Sequence, residues 1–168
     1  MPAEVLARAD LPRGDRVLAR AVSDDGTWLL GTRDALVMVK PDGTIRVAWE
    51  RVETADWDRD KGRLRVAEVV EFGEVRPVHV FSVPDPGRLL PMVRERVSAS
   101  VLLQRRVVVS GRRGLTVIAR RPPRGRGDIT WAYEFDVGMD PEAPAVQQAT
   151  EEALRAAQQE LGEGSPSV

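Results

Sequence analysis

From Arg16 onward, short runs rich in β-branched and other apolar residues are separated at regular spacing by glycine, aspartate and proline. That is the pattern of an antiparallel sandwich or barrel. The segments Arg16 to Ser23, Thr27 to Thr32 and Ala35 to Lys40 run into Asp24-Asp25-Gly26, Arg33-Asp34 and Pro41-Asp42-Gly43. Each break offers the positive φ or the side-chain turn bond that chain reversal needs. Thr44 to Val52, Glu53 to Arg59, Arg63 to Val70 and Val75 to Val83 follow, which makes seven predicted strands, the last after a Phe72-Gly73-Glu74 turn. In Leu64-Arg65-Val66-Ala67-Glu68-Val69, apolar and charged residues alternate as they do in a sheet with one buried and one wet face.

The period then changes. Leu90, Val93, Val97 and Val101 recur at intervals of three, four and four, one apolar stripe for a helix opening near Asp85-Pro86-Gly87. Pro91 requires a late start or a kink. Beyond it, Arg105 to Val109, Leu115 to Arg120 and Ile129 to Val137 predict a three-strand meander. A final helix is expected with Asp140 as cap, Pro141 in the first turn and Gly162 at the exit, burying Val146, Ala149, Ala153, Ala157 and Leu161. The chain thus divides into an N-terminal arm (1–10), a seven-strand unit with its helix (11–101), a meander plus helix (102–162) and a disordered tail (163–168). The expected core of the seven-strand unit includes Val17, Leu29, Leu36, Val37, Val39, Val47, Val66, Phe81, Val93 and Val97.

Composition narrows the chemistry. Lys plus Arg is 25 against 26 for Asp plus Glu, so bulk charge gives no attraction to nucleic acid or an anionic membrane. With no cysteine and one histidine, thiolate chemistry and Cys- or His-rich metal sites are excluded. The first ten residues lack the basic start and apolar run of a secretory signal. No apolar run approaches bilayer length, and a cytoplasmic location is expected. No phosphate-binding glycine loop or nucleophile elbow is present, and neither a cofactor, a small-molecule substrate nor a catalytic set is expected.

Seven strands followed by one amphipathic helix over residues 11–101 resemble the pleckstrin-homology-like (PH-like) barrel, including its bacterial and GRAM-like versions. Leu11-Pro12-Arg13-Gly14-Asp15-Arg16-Val17-Leu18 is similar to that family's first-strand segment, and Leu29-Leu30-Gly31-Thr32-Arg33-Asp34-Ala35-Leu36-Val37-Met38-Val39 to its second hairpin. Trp49-Glu50-Arg51-Val52 and Asp60-Lys61-Gly62-Arg63-Leu64-Arg65-Val66 are similar to the strands and turn that follow. The resemblance implies a mainly β, α+β fold; residues 102–168 lie outside it. These motifs concern packing and turns, so they imply architecture rather than activity. The family's lipid-headgroup site would fall in the first strand-to-strand loop. Here that loop is the acidic Ser23-Asp24-Asp25-Gly26-Thr27, which repels phosphate and makes membrane binding an unfavoured reading.

Three constellations invite a functional reading. Asp56, Asp58 and Asp60 have alternate carboxylates, but Lys61 stands where a calcium loop needs glycine and Ala67 where it needs glutamate; a solvated strand face fits better. His79 has no serine nucleophile beside it and reads as a hydrogen-bonded packing residue. Eight arginines lie between 105 and 126 without an intervening acid: Arg105, Arg106, Arg112, Arg113, Arg120, Arg121, Arg124 and Arg126. Guanidinium groups fork onto phosphates and stack on bases, so Arg112, Arg113, Arg120, Arg121, Arg124 and Arg126, with Trp131 and Tyr133 as stacking or anchoring groups, form the candidate binding surface. The acidic final helix would repel a phosphate track. The leading expectation is therefore noncatalytic binding of a protein partner or a second copy, with nucleic-acid binding through 105–126 as the alternative.

Overall fold

Ten strands and three helices make up the computed structural model, which describes residues 1–70, 75–125 and 127–162. The chain is mainly β, as the alternating pattern implies. β1 (Val17–Val22), β2 (Trp28–Thr32), β3 (Ala35–Lys40) and β4 (Gly43–Ala48) form one antiparallel sheet in chain order, and β5 (Val52–Asp58), β6 (Arg63–Glu68) and β7 (Val78–Ser82) form a second. β8 (Val101–Ser110), β9 (Arg113–Arg120) and β10 (Thr130–Phe135) form a third, with β9 in the middle. Among the described residues no strand pairing closes the first seven strands into a barrel. The expected turn at 72–74 and the tail at 163–168 lie outside the described residues.

The fourth strand ends earlier than predicted. Trp49–Arg51 is a single 3-10 turn, because Trp49 is fully buried and its Nε1 donates to the Thr32 carbonyl at 3.1 Å. That anchor bends the chain from the first sheet into the second.

Ala35 to Val39 is an unbroken apolar run because both faces of β3 are covered. Leu36 and Met38 face a core shared with Leu29, Val47, Trp49, Val52, Leu64, Val66 and Phe81. Ala35, Val37 and Val39 face the other way, with Leu30, and pack against Val5 and Ala9. Those two residues belong to α1 (Ala3–Ala9), so the segment expected as an arm is a short helix lying on the sheet. Two expectations about the core change accordingly. Val37 and Val39 belong to the outer layer, and Val17 is half-buried against that same layer.

α2 (Leu89–Ser100) contacts β1, β2 and β5 and so spans the gap between the first two sheets. Leu89 and Val93 are fully buried and Val97 is partly so. Pro91 is the third helical residue, where an amide hydrogen would have no intrahelical partner, so no kink is needed. Val101, predicted on the helical stripe, begins β8 instead. Gly31 lets the helix close on the sheet: a Cβ there would stand 2.9 Å from Met92 Sδ and 3.1 Å from Leu89 Cδ1.

β9 is also buried on both faces. Leu115 and Val117 meet Val146, Ala153 and Ala157 of α3 (Pro144–Glu160), where small alanines permit close approach. Ile118 and Ala132 on the opposite face meet Val69 from the end of the second sheet. The helix starts later than predicted: Pro144, not Pro141, takes the first helical position. Asp140 Oδ1 instead accepts the Glu142 amide in a preceding turn.

The meander is fixed to the second sheet and to α2 by a charge. Arg120 is 3% exposed. Its Nη2 donates to the Glu53 carbonyl and its Nη1 to Ser100 Oγ, both at 3.0 Å. Desolvation lowers its pKa, opposed by Glu134 and Glu53. Glu53 is buried beside it and ion-paired to Arg76 at 2.7 Å; burial pushes its carboxyl above the usual range, with Arg76 pulling against it.

Arg120→Ala leaves a buried carbonyl and hydroxyl without donors and is expected to cost about 3 kcal/mol in urea unfolding. A loss below about 0.5 kcal/mol, the range of an ordinary surface substitution, would show that the junction contributes little. Gly114→Ala is expected to cost a similar amount, about 3 kcal/mol, because its Cβ would fall inside the Val107 carbonyl oxygen, which is backbone and cannot swing away. Unchanged thermal unfolding would contradict that packing.

Candidate functional site

The described members of the arginine cluster do not form one surface. Arg112 and Arg113 are exposed at the tip of the β8–β9 hairpin, and Arg113 Nη1 donates to the Gly138 carbonyl at 3.4 Å. Arg106 forks onto Asp136, Nη1 to Oδ1 at 3.1 Å and Nη2 to Oδ2 at 2.6 Å. Arg105 pairs with Glu160 of α3 at 3.1 Å. Arg120 closes the far end of β9, and Arg121 and Arg124 follow it. Seven residues of strand separate Arg113 from Arg120, about 23 Å at strand rise.

At that far end Arg120 is the buried junction just described, which corrects its assignment to a binding surface. The β9 alternation that turns Leu115 and Val117 toward α3 turns Ile118 and Arg120 toward the second sheet and α2. Arg121 is half-buried and its amide donates to the Ser100 carbonyl at 2.8 Å. Arg124 is exposed but pairs with Asp34 at 3.0 Å. Arg126 lies outside the described residues. Trp131 and Tyr133 are half-buried on the α3 side of β10, within the Leu115–Val117 cluster. Burial raises the Tyr133 phenol, which lines a cleft of about 300 Å³ with Gln147, Thr150, Glu151 and Leu154. The structure therefore pairs Arg112 with Arg113 at one end and separates them from Arg121 and Arg124.

His79 Nε2 lies 2.6 Å from Glu68 Oε1, and its ring stacks on Phe81 with centroids 6.4 Å apart. It borders a cleft of about 300 Å³ with Asp25, Thr27, Lys40 and Asp42. The acidic turn is committed locally. Asp25 accepts from Ser23 Oγ and from the Thr27 amide, contacts that hold its carboxyl below the usual range. Asp24 accepts from Ser82 Oγ. Asp56 and Asp58 pair with Arg65 at 3.9 Å and Lys61 at 3.5 Å. Among the described residues no group of three or more histidine or carboxylate side chains could hold a metal ion, and no helix is long and apolar enough to cross a membrane.

A third cleft, of about 330 Å³, lies between β1 and α2. Leu18, Pro91 and Met92 give it apolar walls, while Arg88, Arg96 and Glu95 supply charge. A register shift between Val17 and Ala19 bulges the strand at Leu18 and leaves that side chain 37% exposed. Among the described residues β1 pairs as a strand only with β2; just past its end the Asp24 amide donates to the Ser82 carbonyl at 2.9 Å. Strand periodicity hid this site, since a bulge breaks the period and the second wall comes from a helix some seventy residues away. Arg88, Glu95 and Arg96 on a helix otherwise read as solvated charge.

Comparison with family models, curated proteins and solved structures finds no match to the chain.

The Asp136 carboxylate offers a direct test of how the hairpin arginines are engaged. The Arg106 fork, with help from the Gly114 amide at 2.8 Å, lowers its pKa from 3.8 to about 2. A depressed folded-state pKa means that the stability it contributes is present above pH ~4 and is lost as pH falls toward 2. Carboxyl-carbon NMR is expected to show Asp136 titrating near 2, and clearly higher in Arg106→Ala, where only the Gly114 amide and Arg113 still hold it down. Titration near 4 in the unaltered chain would refute the fork.

Proposed function

We propose that the chain is a noncatalytic protein-binding platform of the cytoplasm, in which residues 11–101 form a PH-like module and residues 102–162 an appended meander and helix. Four strands, then three, then a helix across the gap between the sheets support the PH-like reading. The observation that carries the binding function is the set of open strand edges. β1, β7 and β8 each end a sheet, and they expose Leu18 and Val22, Val78 and Val80, and Leu102 and Val108. Unpaired edges with apolar side chains favour strand addition by another chain. The partner is a second protein or a second copy of this chain.

Nucleic-acid binding through 105–126 has weaker support. Arg105, Arg106 and Arg124 are paired to carboxylates and Arg120 is buried, so few guanidinium groups in that stretch remain to meet a phosphate backbone. Lipid binding at the first turn is opposed by the carboxylates of Asp24 and Asp25.

Sedimentation of the full chain, alongside affinity capture from its native cytosol, tests the reading. A dimer or a stoichiometric partner is expected, with hydrogen exchange slowed along β1, β7 or β8 in the complex. A partnerless monomer would overturn it. A salt-sensitive mobility shift with nucleic acid, abolished by Arg112→Ala with Arg113→Ala, would replace it with the alternative.

A further inference from the structure

We propose that the cleft between β1 and α2 takes an extended, acidic segment of a partner protein, which adds to β1 as a fifth strand of the first sheet. The inference rests on the protein-binding reading and specifies its site and partner chemistry. Three observations converge on it. The first is the edge itself: β1 is terminal in its sheet, and an extended peptide meets a free edge through main-chain hydrogen bonds that need no particular sequence. Its bulge tips Leu18 into the cleft.

The second is the floor. Leu18, Pro91 and Met92 offer apolar surface, so one face of the incoming strand finds contact for small aliphatic side chains. Gly31 leaves room for this floor, since a Cβ there would crowd Met92 Sδ and Leu89 Cδ1 and displace those side chains.

The third is charge. Arg88 and Arg96 line the cleft from the helix, and Arg16 and Arg20 are exposed just before and within β1. Among the described residues none of these four arginines is ion-paired, whereas Arg46, Arg65, Arg76, Arg105, Arg106 and Arg124 are. Arg96 Nε is buried without an acceptor. The cleft itself carries two cations, Arg88 and Arg96, against one acid, Glu95.

The helix also sets a spacing. Eight residues separate Arg88 from Arg96, about 12 Å at helical rise. An extended strand covers that distance in about four residues. Acidic residues at i and i+4, which share one face of a strand, therefore match the two guanidinium positions.

The test uses the full chain and a fluorescein-labelled ten-residue peptide in which glutamate alternates with valine, read by anisotropy. Binding is expected for this peptide, weakening as salt rises, and absent for the counterpart with lysine in place of glutamate. The double variant R88E/R96E should lower affinity about tenfold or more with unchanged circular dichroism, and hydrogen exchange should slow at Val17–Val22 when the peptide is bound. R88E alone, at an exposed position, should give part of the loss even if the double variant does not fold. No anisotropy change with the acidic peptide, affinity indifferent to R88E, or protection confined to another edge would each overturn the assignment. So would tighter binding of a single-stranded oligonucleotide than of the acidic peptide at the same cleft. If R88E/R96E still recovers the dimer or partner that the unaltered chain recovers, this cleft is wrong and the platform stands. A partnerless unaltered chain removes the platform itself.

Discussion

A guanidinium removed from water is costly unless its donors are met, and Arg120 meets that cost with its two terminal nitrogens, Nη1 and Nη2, while Nε is buried without an acceptor. Its partners come from three places: the Glu53 carbonyl at the start of β5, Ser100 Oγ at the end of α2, and more distantly the Val97 carbonyl one turn earlier. One side chain therefore ties the third sheet to the second sheet and to the helix. The apolar contact of Val69 with Ile118 and Ala132 lies on the same face of the meander. Neither would specify the orientation alone. Apolar contact is tolerant of sliding, whereas a fork of hydrogen bonds is not.

The second constraint is that a sheet with two apolar faces needs two covers. β3 receives a core on one side and α1 on the other, and β9 receives α3 on one side and the second sheet on the other. Covering the middle strands leaves the margins. Among the described residues each sheet is open, with edges at β1, β7 and β8; the binding platform we propose uses those margins rather than a reactive group. The helix that closes the gap between the sheets also supplies the second wall of the β1 cleft. One element thus completes the core with Leu89 and Val93 and turns Arg88 and Arg96 outward to the site.

The candidate site was legible only in fragments. A run of eight arginines looks like one patch when read linearly, yet strand geometry places Arg113 and Arg120 at opposite ends of β9 and the alternation of faces sends Arg120 inward. The acids that engage Arg105, Arg106 and Arg124 are remote in sequence: Glu160, Asp136 and Asp34. The β1–α2 cleft left no local signal, because a single bulge residue and scattered helical charges gain meaning only side by side.

Strand locations, hairpin turns and the inward set Leu29, Leu36, Val47, Val66, Phe81 and Val93 were determined by the sequence alone, since the two-residue period and the Asp-Gly turns act over a few residues and need no distant partner. Tertiary packing decided the rest. Residues 3–9 are too short to hold a helix in isolation and do so where Val5 and Ala9 meet the outer face of β3. Trp49 becomes a turn because Thr32 offers its carbonyl, and Arg120 becomes a buried tie because Glu53 and Ser100 wait for it. Those outcomes depend on groups that chain order keeps apart and only the folded arrangement brings within hydrogen-bonding or van der Waals reach.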